Sequence, residues 1–258
     1  MGFGSVRICQ CGIGGMIFTL CAQPWLLAQE KAASPQPTAV SVPFIGCKSG
    51  GQVGSAEAPK GTSTSVPITA QEAQGLAYYE SSPGFGVLAP RGWHCFGTYG
   101  SGGDALFVSP QPIDTAIFAP GWKGFAGPAI EFTHRFGGTF GRFAVAEVIA
   151  RVFPAYRAFA THVMEFPAPQ FAFGPYPKDS LTYKGTTVVE YKTPPQTEGL
   201  GTHSSLLKNG SPIEGVAILI GQTPDLLLLS VRLPPDLTGL TSAIVRQVES
   251  DPAHGPTN

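Results

Sequence analysis

The sequence has few charged residues and no run of basic ones. Asp, Glu, Lys and Arg make up 13% of the 258 residues, and 16 basic side chains nearly balance 17 acidic ones; typical soluble domains have ~25% charged residues. Proteins that bind nucleic acid concentrate Lys and Arg on one face to neutralise phosphates. The composition therefore argues against nucleic acid as a partner.

Long apolar runs are also absent, except at the beginning of the chain. There a single positive charge at Arg7 precedes an uncharged apolar run over residues 8–22, which Pro24 and the small residue Ala28 follow. This order is typical of a secretory signal peptide. We expect cleavage after Ala28, or alternatively after Ala22, and no stable membrane span afterwards; a retained membrane anchor is the competing interpretation.

Cysteine is scarce, and its placement bears on the compartment. Of five cysteines, Cys9, Cys11 and Cys21 lie in the predicted signal peptide, so the mature chain keeps Cys47 and Cys95. In an oxidising compartment, such a pair most simply forms one disulfide. We predict a Cys47–Cys95 disulfide in a secreted or periplasmic protein. The alternative, a reactive Cys95 thiol, requires a lowered thiol pKa.

Glycine and proline, by contrast, are abundant, with 33 and 25 residues. After the signal peptide at 1–28, residues 29–68 are rich in Pro, Ala, Ser, Gly and Thr, which predicts a flexible N-terminal arm. The exception is a short apolar segment over 41–47, which Cys47 could attach to the domain. One domain is expected over 69–250, and a disordered tail over 251–258.

Periodicity and turn signals predict the first elements of this domain. A capping-box pattern begins at Thr69 and predicts a helix over 69–79. Strands over 85–89, 93–98 and 105–108 are expected to form an antiparallel meander. A helix that begins at Thr139 and extends through Val163 should be kinked or split by Pro154.

The last third of the chain is the most regular. A hairpin is predicted around Lys184-Gly185, and strands over 202–207 and 215–220 are expected to flank a turn at 208–210. The segment 226–233 is apolar on both faces, which predicts a central strand covered on both sides. Asp236 is expected to cap a closing helix.

These elements predict an α+β fold, a mostly antiparallel twisted sheet with packed helices. A strand that ends in Pro-x-Gly-Trp at 90–93, a later meander and a closing helix resemble the Mog1/PsbP-like three-layer sandwich, from which the long insertion at 109–178 departs.

A second resemblance lies in the residues themselves. The segment Phe-Ile-Gly-Cys at 44–47, together with Gly-Val-Leu-Ala-Pro-Arg-Gly-Trp-His-Cys-Phe-Gly at 86–97, resembles a group of uncharacterised exported bacterial proteins. The resemblance implies export. Because that group has no established activity, it implies no catalytic residue.

Motifs for cofactor, metal or nucleophilic chemistry are incomplete. The glycine-rich segment at 97–103 has no lysine and precedes a strand, so it predicts a hairpin turn and not a phosphate loop. Glu131 and His134 have Glu-x-x-His spacing, as do His162 and Glu165 in reverse order, but a di-metal site needs the motif twice on helices. We therefore expect neither a metal nor another cofactor.

Two functions remain. The favoured one is a non-catalytic binding or assembly module of the cell envelope, with envelope components as partners. Trp93 and Tyr99, with His94, could line a face for carbohydrate or peptidoglycan, since aromatic rings stack on apolar ligand surfaces; core packing explains them as well. The alternative is a periplasmic hydrolase whose site is assembled from His94, Glu131 and His134.

Overall fold

The structure is a computed structural model. It describes residues 38–251, except for residues 52, 83 and 166–169. The predicted signal peptide and nearly all of the predicted tail lie outside these residues. No helix in the described part of the chain has the length and apolar character needed to cross a membrane.

The described residues form thirteen strands and four α-helices. The strands are β1 (Thr38–Cys47), β2 (Ser49–Gly51), β3 (Gly54–Ala56), β4 (Ser63–Ile68), β5 (Leu76–Ser81), β6 (Phe85–Pro90), β7 (His94–Gly100), β8 (Gly103–Ser109), β9 (Ala129–Arg135), β10 (Ser180–Tyr183), β11 (Val188–Thr193), β12 (Ile213–Ile220) and β13 (Asp225–Arg232). The helices are α1 (Ala70–Gly75), α2 (Arg142–Val152), α3 (Arg157–Met164) and α4 (Thr241–Ser250).

The strands form two sheets. The small sheet has the order β4-β1-β5-β6, and the large sheet has the order β10-β11-β12-β13-β9-β8-β7-β2-β3. Only the pairs β1–β5 and β2–β7 are parallel among the strand pairs of the described residues. The α+β class with mostly antiparallel strands is therefore confirmed, whereas the prediction of a single sheet is wrong, because the strands of the described residues divide into two.

The large sheet has a hydrophobic core on each face. On one face it packs against the small sheet and α4, and on the other face against α2 and α3. Strand β13 contributes alternate residues to both cores, Leu227 and Leu229 to the first and Leu226 and Leu228 to the second. This confirms the prediction of a central strand that is covered on both sides.

The disulfide links the two sheets. Cys47 lies at the end of β1 in the small sheet, and Cys95 lies in β7 of the large sheet. The two residues are bonded, with Cα atoms 5.4 Å apart. The predicted pairing is confirmed, and it attaches β1, which contains the apolar segment 41–47 of the predicted arm, to the large sheet.

That assignment is wrong for the part of the arm that the structure describes. Residues 38–68 contain β1, β2, β3 and β4. Val42, Val66 and Ile68 are buried in the core beneath the small sheet. Strand pairing with residues far along the chain orders a segment whose composition alone is typical of a tail.

The predicted helix over 69–79 is correct only in its first turn. The capping box is present, since the Thr69 amide donates to Glu72 Oε2 at 2.8 Å and the Glu72 amide donates to Thr69 Oγ1 at 3.2 Å. The helix ends at Gly75, and the chain continues as β5 between β1 and β6. Burial of Ala77 and Tyr79 in a sheet outweighs local helix propensity there.

The predicted meander is also divided. Strand β6 pairs with β5 in the small sheet, whereas β7 pairs with β8 in the large sheet. Residues 91–93 therefore carry the chain from one sheet to the other. The hairpin between β7 and β8 is confirmed, with Gly100 paired to Gly103, so the glycine-rich segment forms a turn as expected.

Later elements follow the sequence more closely. The long helix is split at Pro154, which begins a 3-10 turn between α2 and α3. The predicted strand over 202–207 is wrong: a 3-10 turn covers Leu200–His203. Asp179 Oδ2 accepts the Leu200 amide at 2.7 Å, and Thr193 Oγ1 accepts the Gly201 amide at 3.0 Å, so side chains take the place of a strand partner.

Candidate ligand-binding site

A shallow pocket lies at the end of the large sheet that contains the β7–β8 hairpin, next to Ser82, which follows β5 of the small sheet. Its volume is about 440 Å³, within the range of small-ligand sites. It lies beside the β7–β8 hairpin and the β2–β3 turn. The lining residues are Val53, Ala56, Ser82, Tyr99, Gly100, Ser101, Asp104 and Phe136. We call it the hairpin pocket.

Tyr99 forms one wall of the hairpin pocket and is held by the β2–β3 turn. Its hydroxyl donates to the Gly54 carbonyl oxygen at 2.8 Å. Gly51 is paired with Tyr99, and a Cβ on Gly51 would lie 2.7 Å from the tyrosine ring, which is too close. The glycine at this position therefore allows the ring to lie against the backbone of β2.

Asp104 is the acidic residue of the hairpin pocket. It follows Gly103, whose φ of +132° and close approach to the His134 carbonyl oxygen require glycine. Asp104 is only 6% exposed, and no hydrogen bond from the described residues reaches its carboxylate. Burial raises the pKa of this carboxyl, although the nearby His134 and Arg135 lower it in part.

His134 lies directly across from Asp104, on the neighbouring strand β9. Its Nε2 atom is 3.5 Å from Asp225 Oδ2, and its ring packs edge-on against Phe136 at 4.8 Å. Asp225 Oδ1 also accepts the Gly137 amide at 2.7 Å. The imidazole therefore lies between two carboxylates and supports the Phe136 wall of the pocket.

The predicted hydrolase residues do not form a common site. Glu131 and His134 are three apart on β9, so they face opposite sides of the sheet. His94 pairs with Ser109 and His134 with Asp104, positions about 17 Å apart along β8. The structure does not bring the three side chains together, which removes the geometric basis of that hypothesis.

The contacts of Glu131 indicate a structural role instead of a catalytic one. It is 4% exposed, and its Oε2 atom accepts the Ser205 amide at 2.5 Å. Burial raises the pKa of its carboxyl, and the hydrogen bond from Ser205 opposes this shift. Ser230 is paired with Glu131 on the neighbouring strand β13, and its hydroxyl is hydrogen-bonded to the hydroxyl of Tyr191 on β11 at 2.6 Å. This buried polar group holds the loop around Ser205 on the sheet.

The two predicted ligand-binding aromatic residues are also separated. Trp93 directly precedes β7 and Tyr99 lies near its other end, about 20 Å away. Trp93 packs against the core, and its amide donates to the Tyr79 hydroxyl at 3.1 Å. Trp93 and Tyr99 therefore do not line one pocket, and only Tyr99 lines the hairpin pocket. Its role in ligand binding stays a prediction.

The sequence did not predict one row of hydrogen-bonded polar side chains, the Glu147–His203–Tyr176 chain. His203 Nδ1 is 3.1 Å from Glu147 Oε1 on α2, and His203 Nε2 is hydrogen-bonded to the Tyr176 hydroxyl. The hydrogen bond from His203 lowers the pKa of Glu147. Tyr176 is 6% exposed, so the chain ends in the protein interior. Its geometry suits attachment of the 3-10 turn to α2.

The remaining motifs have ordinary explanations. His162 and Glu165 form an exposed ion pair of 3.1 Å on α3, which is worth little in water. Among residues 38–251 with the gaps stated above, no group of three or more His, Cys, Asp and Glu side chains is arranged to hold a metal ion.

Asp104 leads to a prediction about stability. Replacement by asparagine is expected to raise the free energy of unfolding near neutral pH by about 1 kcal/mol, because it removes a largely buried charge that accepts no hydrogen bond from the described residues. A folded-state pKa above the unfolded value means that the protonated form stabilises the fold at low pH, and this contribution is lost as pH rises through the folded pKa.

Urea denaturation of the wild type and Asp104→Asn checks this prediction. The stability difference should be largest near pH 7 and should disappear toward about pH 3, below the unfolded pKa of aspartate. Glu165→Gln, which removes a carboxylate that is two-thirds exposed, serves as the control. A loss of stability in Asp104→Asn at neutral pH would contradict the prediction.

Comparisons with protein families, with curated proteins and with solved structures gave no match to this chain. The functional interpretation therefore rests on the geometry of the hairpin pocket.

Proposed function

We propose that the protein is exported from a bacterial cell and acts as a non-catalytic binding or assembly module of the cell envelope, with the hairpin pocket as its binding site. The observation that carries this proposal is the pocket itself. It has two aromatic walls, Tyr99 and Phe136, and a volume that suits a small ligand or a side chain of a larger partner.

Export is supported by three features of the chain. The first 28 residues have the order of a signal peptide. The segment 86–97 resembles exported bacterial proteins. The Cys47–Cys95 bond is of the kind that persists in oxidising compartments.

Binding is favoured over hydrolysis because the polar residues considered for catalysis are dispersed. His94, Glu131 and His134 lie at different ends or on different faces of the large sheet. The Glu147–His203–Tyr176 chain ends in a buried phenol and does not open into the hairpin pocket. The Mog1/PsbP-like arrangement is retained as part of this proposal, supported by the closing helix α4 beside the sheets.

Intact mass measurement tests export. The full-length chain is produced in a bacterial host, and the envelope fraction is analysed with and without reductant. We expect a mature chain that lacks residues 1–28, or 1–22, with its two thiols alkylated only after reduction. A full-length chain with free thiols in the cytoplasmic fraction would contradict export.

Fragment screening by NMR tests the binding site. Small aromatic and aliphatic compounds are added to the isotope-labelled mature protein, and backbone amide shifts are mapped. We expect shifts that cluster around Tyr99 and Phe136 and that are lost in Tyr99→Leu. Tyr183→Leu is the matched control, because Tyr183 is half-exposed on β10 at the opposite edge of the large sheet. The absence of any compound that shifts this cluster would overturn the proposed site.

A further inference from the structure

We propose that the hairpin pocket binds a ligand in which a protonated primary amine is joined to an apolar segment, with the ammonium group on the Asp104 carboxylate. This inference rests on the proposed binding function and names the chemical class of the ligand.

The first argument is the state of Asp104. Its side chain lines the hairpin pocket, yet the residue is more than nine-tenths buried. Within the part of the chain that the structure describes, no donor hydrogen-bonds to its carboxylate. The carboxylate oxygens are not completely sealed from water, but a charge with so little access to water and no hydrogen bond from the described residues is costly. A bound cation removes this cost, and an ammonium group supplies three donors.

The charged residues near Asp104 are compatible with the binding of a cation at its carboxylate. His134 lies across from Asp104, but Asp225 is on its other side at 3.5 Å from Nε2. Arg135 is the next residue on β9, and its side chain points to the opposite face of the sheet, although its charge still lowers the pKa of Asp104 in part. No Lys or Arg lines the pocket. The charge of the site thus favours a cation over an anion.

The second argument is the apolar character of the other walls. Val53 is 88% exposed at the turn between β2 and β3, where it borders the pocket together with Ala56. Tyr99 and Phe136 present aromatic rings, which attract cations through their π faces and also bury hydrocarbon. Ser82 and Ser101 belong to the same lining.

The Asp104 carboxylate and the apolar walls of the hairpin pocket together favour one class of ligand. A lone carboxylate among apolar and aromatic side chains complements a compact ammonium group attached to hydrocarbon. An apolar alcohol matches only the walls, and a carboxylate of the same length is repelled by Asp104. These three head groups on one hydrocarbon chain therefore separate charge recognition from apolar contact.

The test uses n-hexylamine, n-hexanol and n-hexanoate as probes. Each is titrated into the labelled mature protein near neutral pH, and affinities are obtained from amide shifts around Tyr99 and Phe136. We expect hexylamine to bind about tenfold more tightly than hexanol, as a hydrogen bond to a charged group provides, and hexanoate more weakly than both.

Two variants separate the possible failures. Asp104→Asn should bind hexylamine about tenfold more weakly and leave hexanol binding unchanged, whereas Glu165→Gln should change neither. If Asp104→Asn binds hexylamine as tightly as the wild type, or if hexanoate binds as tightly as hexylamine, the amine proposal is overturned while the pocket remains a binding site. If neither the three probes nor the fragments shift this cluster, the proposed function fails as well.

Discussion

Joint replacement of Cys47 and Cys95 by alanine is expected to lower the free energy of unfolding by about 4 kcal/mol. The bond closes a loop with a sequence separation of 48 residues, and its loss increases the entropy of the unfolded chain. Its position adds to its importance, because it joins the last residue of β1 to β7 and so links the small sheet to the large one.

Urea denaturation measures this effect, and reduction of the wild type separates the bond from the packing of sulfur. Cys47 is 1% exposed in the core, so the alanine variant also loses a small amount of apolar contact. Dithiothreitol should lower the midpoint of the wild type and leave that of the double variant unchanged. If the reductant leaves the wild-type midpoint unchanged, the bond does not stabilise the fold as we expect.

The second large effect is expected at Arg232, where replacement by methionine should cost about 3 kcal/mol. Arg232 is 1% exposed. Its Nη1 atom donates to the carbonyl oxygens of Phe125 at 3.3 Å and Gly127 at 3.2 Å, and its Nη2 atom donates to the carbonyl oxygen of Leu207. Methionine fills similar space but removes all three hydrogen bonds from the buried guanidinium group, and only the Phe125 carbonyl oxygen keeps another donor, the Leu207 amide.

The two loops that Arg232 connects are also bonded to each other. The Phe125 amide donates to the Ser205 carbonyl oxygen at 2.7 Å, and the Leu207 amide donates to the Phe125 carbonyl oxygen at 2.9 Å. We therefore expect faster hydrogen exchange of both amides in Arg232→Met, in addition to the lower urea midpoint.

Arg246→Met is the matched control for this prediction. Arg246 is 44% exposed and forms a surface ion pair with Glu72 at 2.6 Å, and such pairs contribute about 1 kcal/mol or less. Arg232→Lys keeps the charge but not the planar group that reaches separate carbonyl oxygens, so an intermediate loss is expected. Equal losses for the buried and the exposed arginine would contradict the interpretation.

Arg232 lies away from the hairpin pocket, at the other end of β13 from Leu226, whereas the disulfide is closer to it, since Cys47 pairs with Ser81, the neighbour of the pocket residue Ser82. Asp104 is expected to reduce stability, whereas Arg232 and the disulfide increase it. A residue whose removal stabilises the fold, in a pocket with apolar walls, is typical of a position retained for binding. The stability and amine-binding measurements on Asp104→Asn therefore test in two independent ways whether Asp104 is retained for ligand binding.

Local features of the sequence determined several parts of this protein. Two cysteines outside the predicted signal peptide left one simple pairing, and the structure contains that bond. Four consecutive leucines indicated a strand covered on both faces, which β13 confirms. Pro154 predicted the division of the long helix. Each of these depends on side chains that are close in sequence or on a residue type with one dominant property.

Long-range strand pairing decided the rest. Residues 76–81 became β5 because β1 and β6 offer partners on either side, and residues 38–68 became strands for the same reason. The hairpin pocket unites segments around Val53, Ser82, Tyr99 and Phe136, and the Glu147–His203–Tyr176 chain unites three further segments. Composition and periodicity describe only the surroundings of a residue along the chain. The burial of Asp104 and the separation of Glu131 from His134 depend instead on which strands become neighbours and on the face that each side chain occupies.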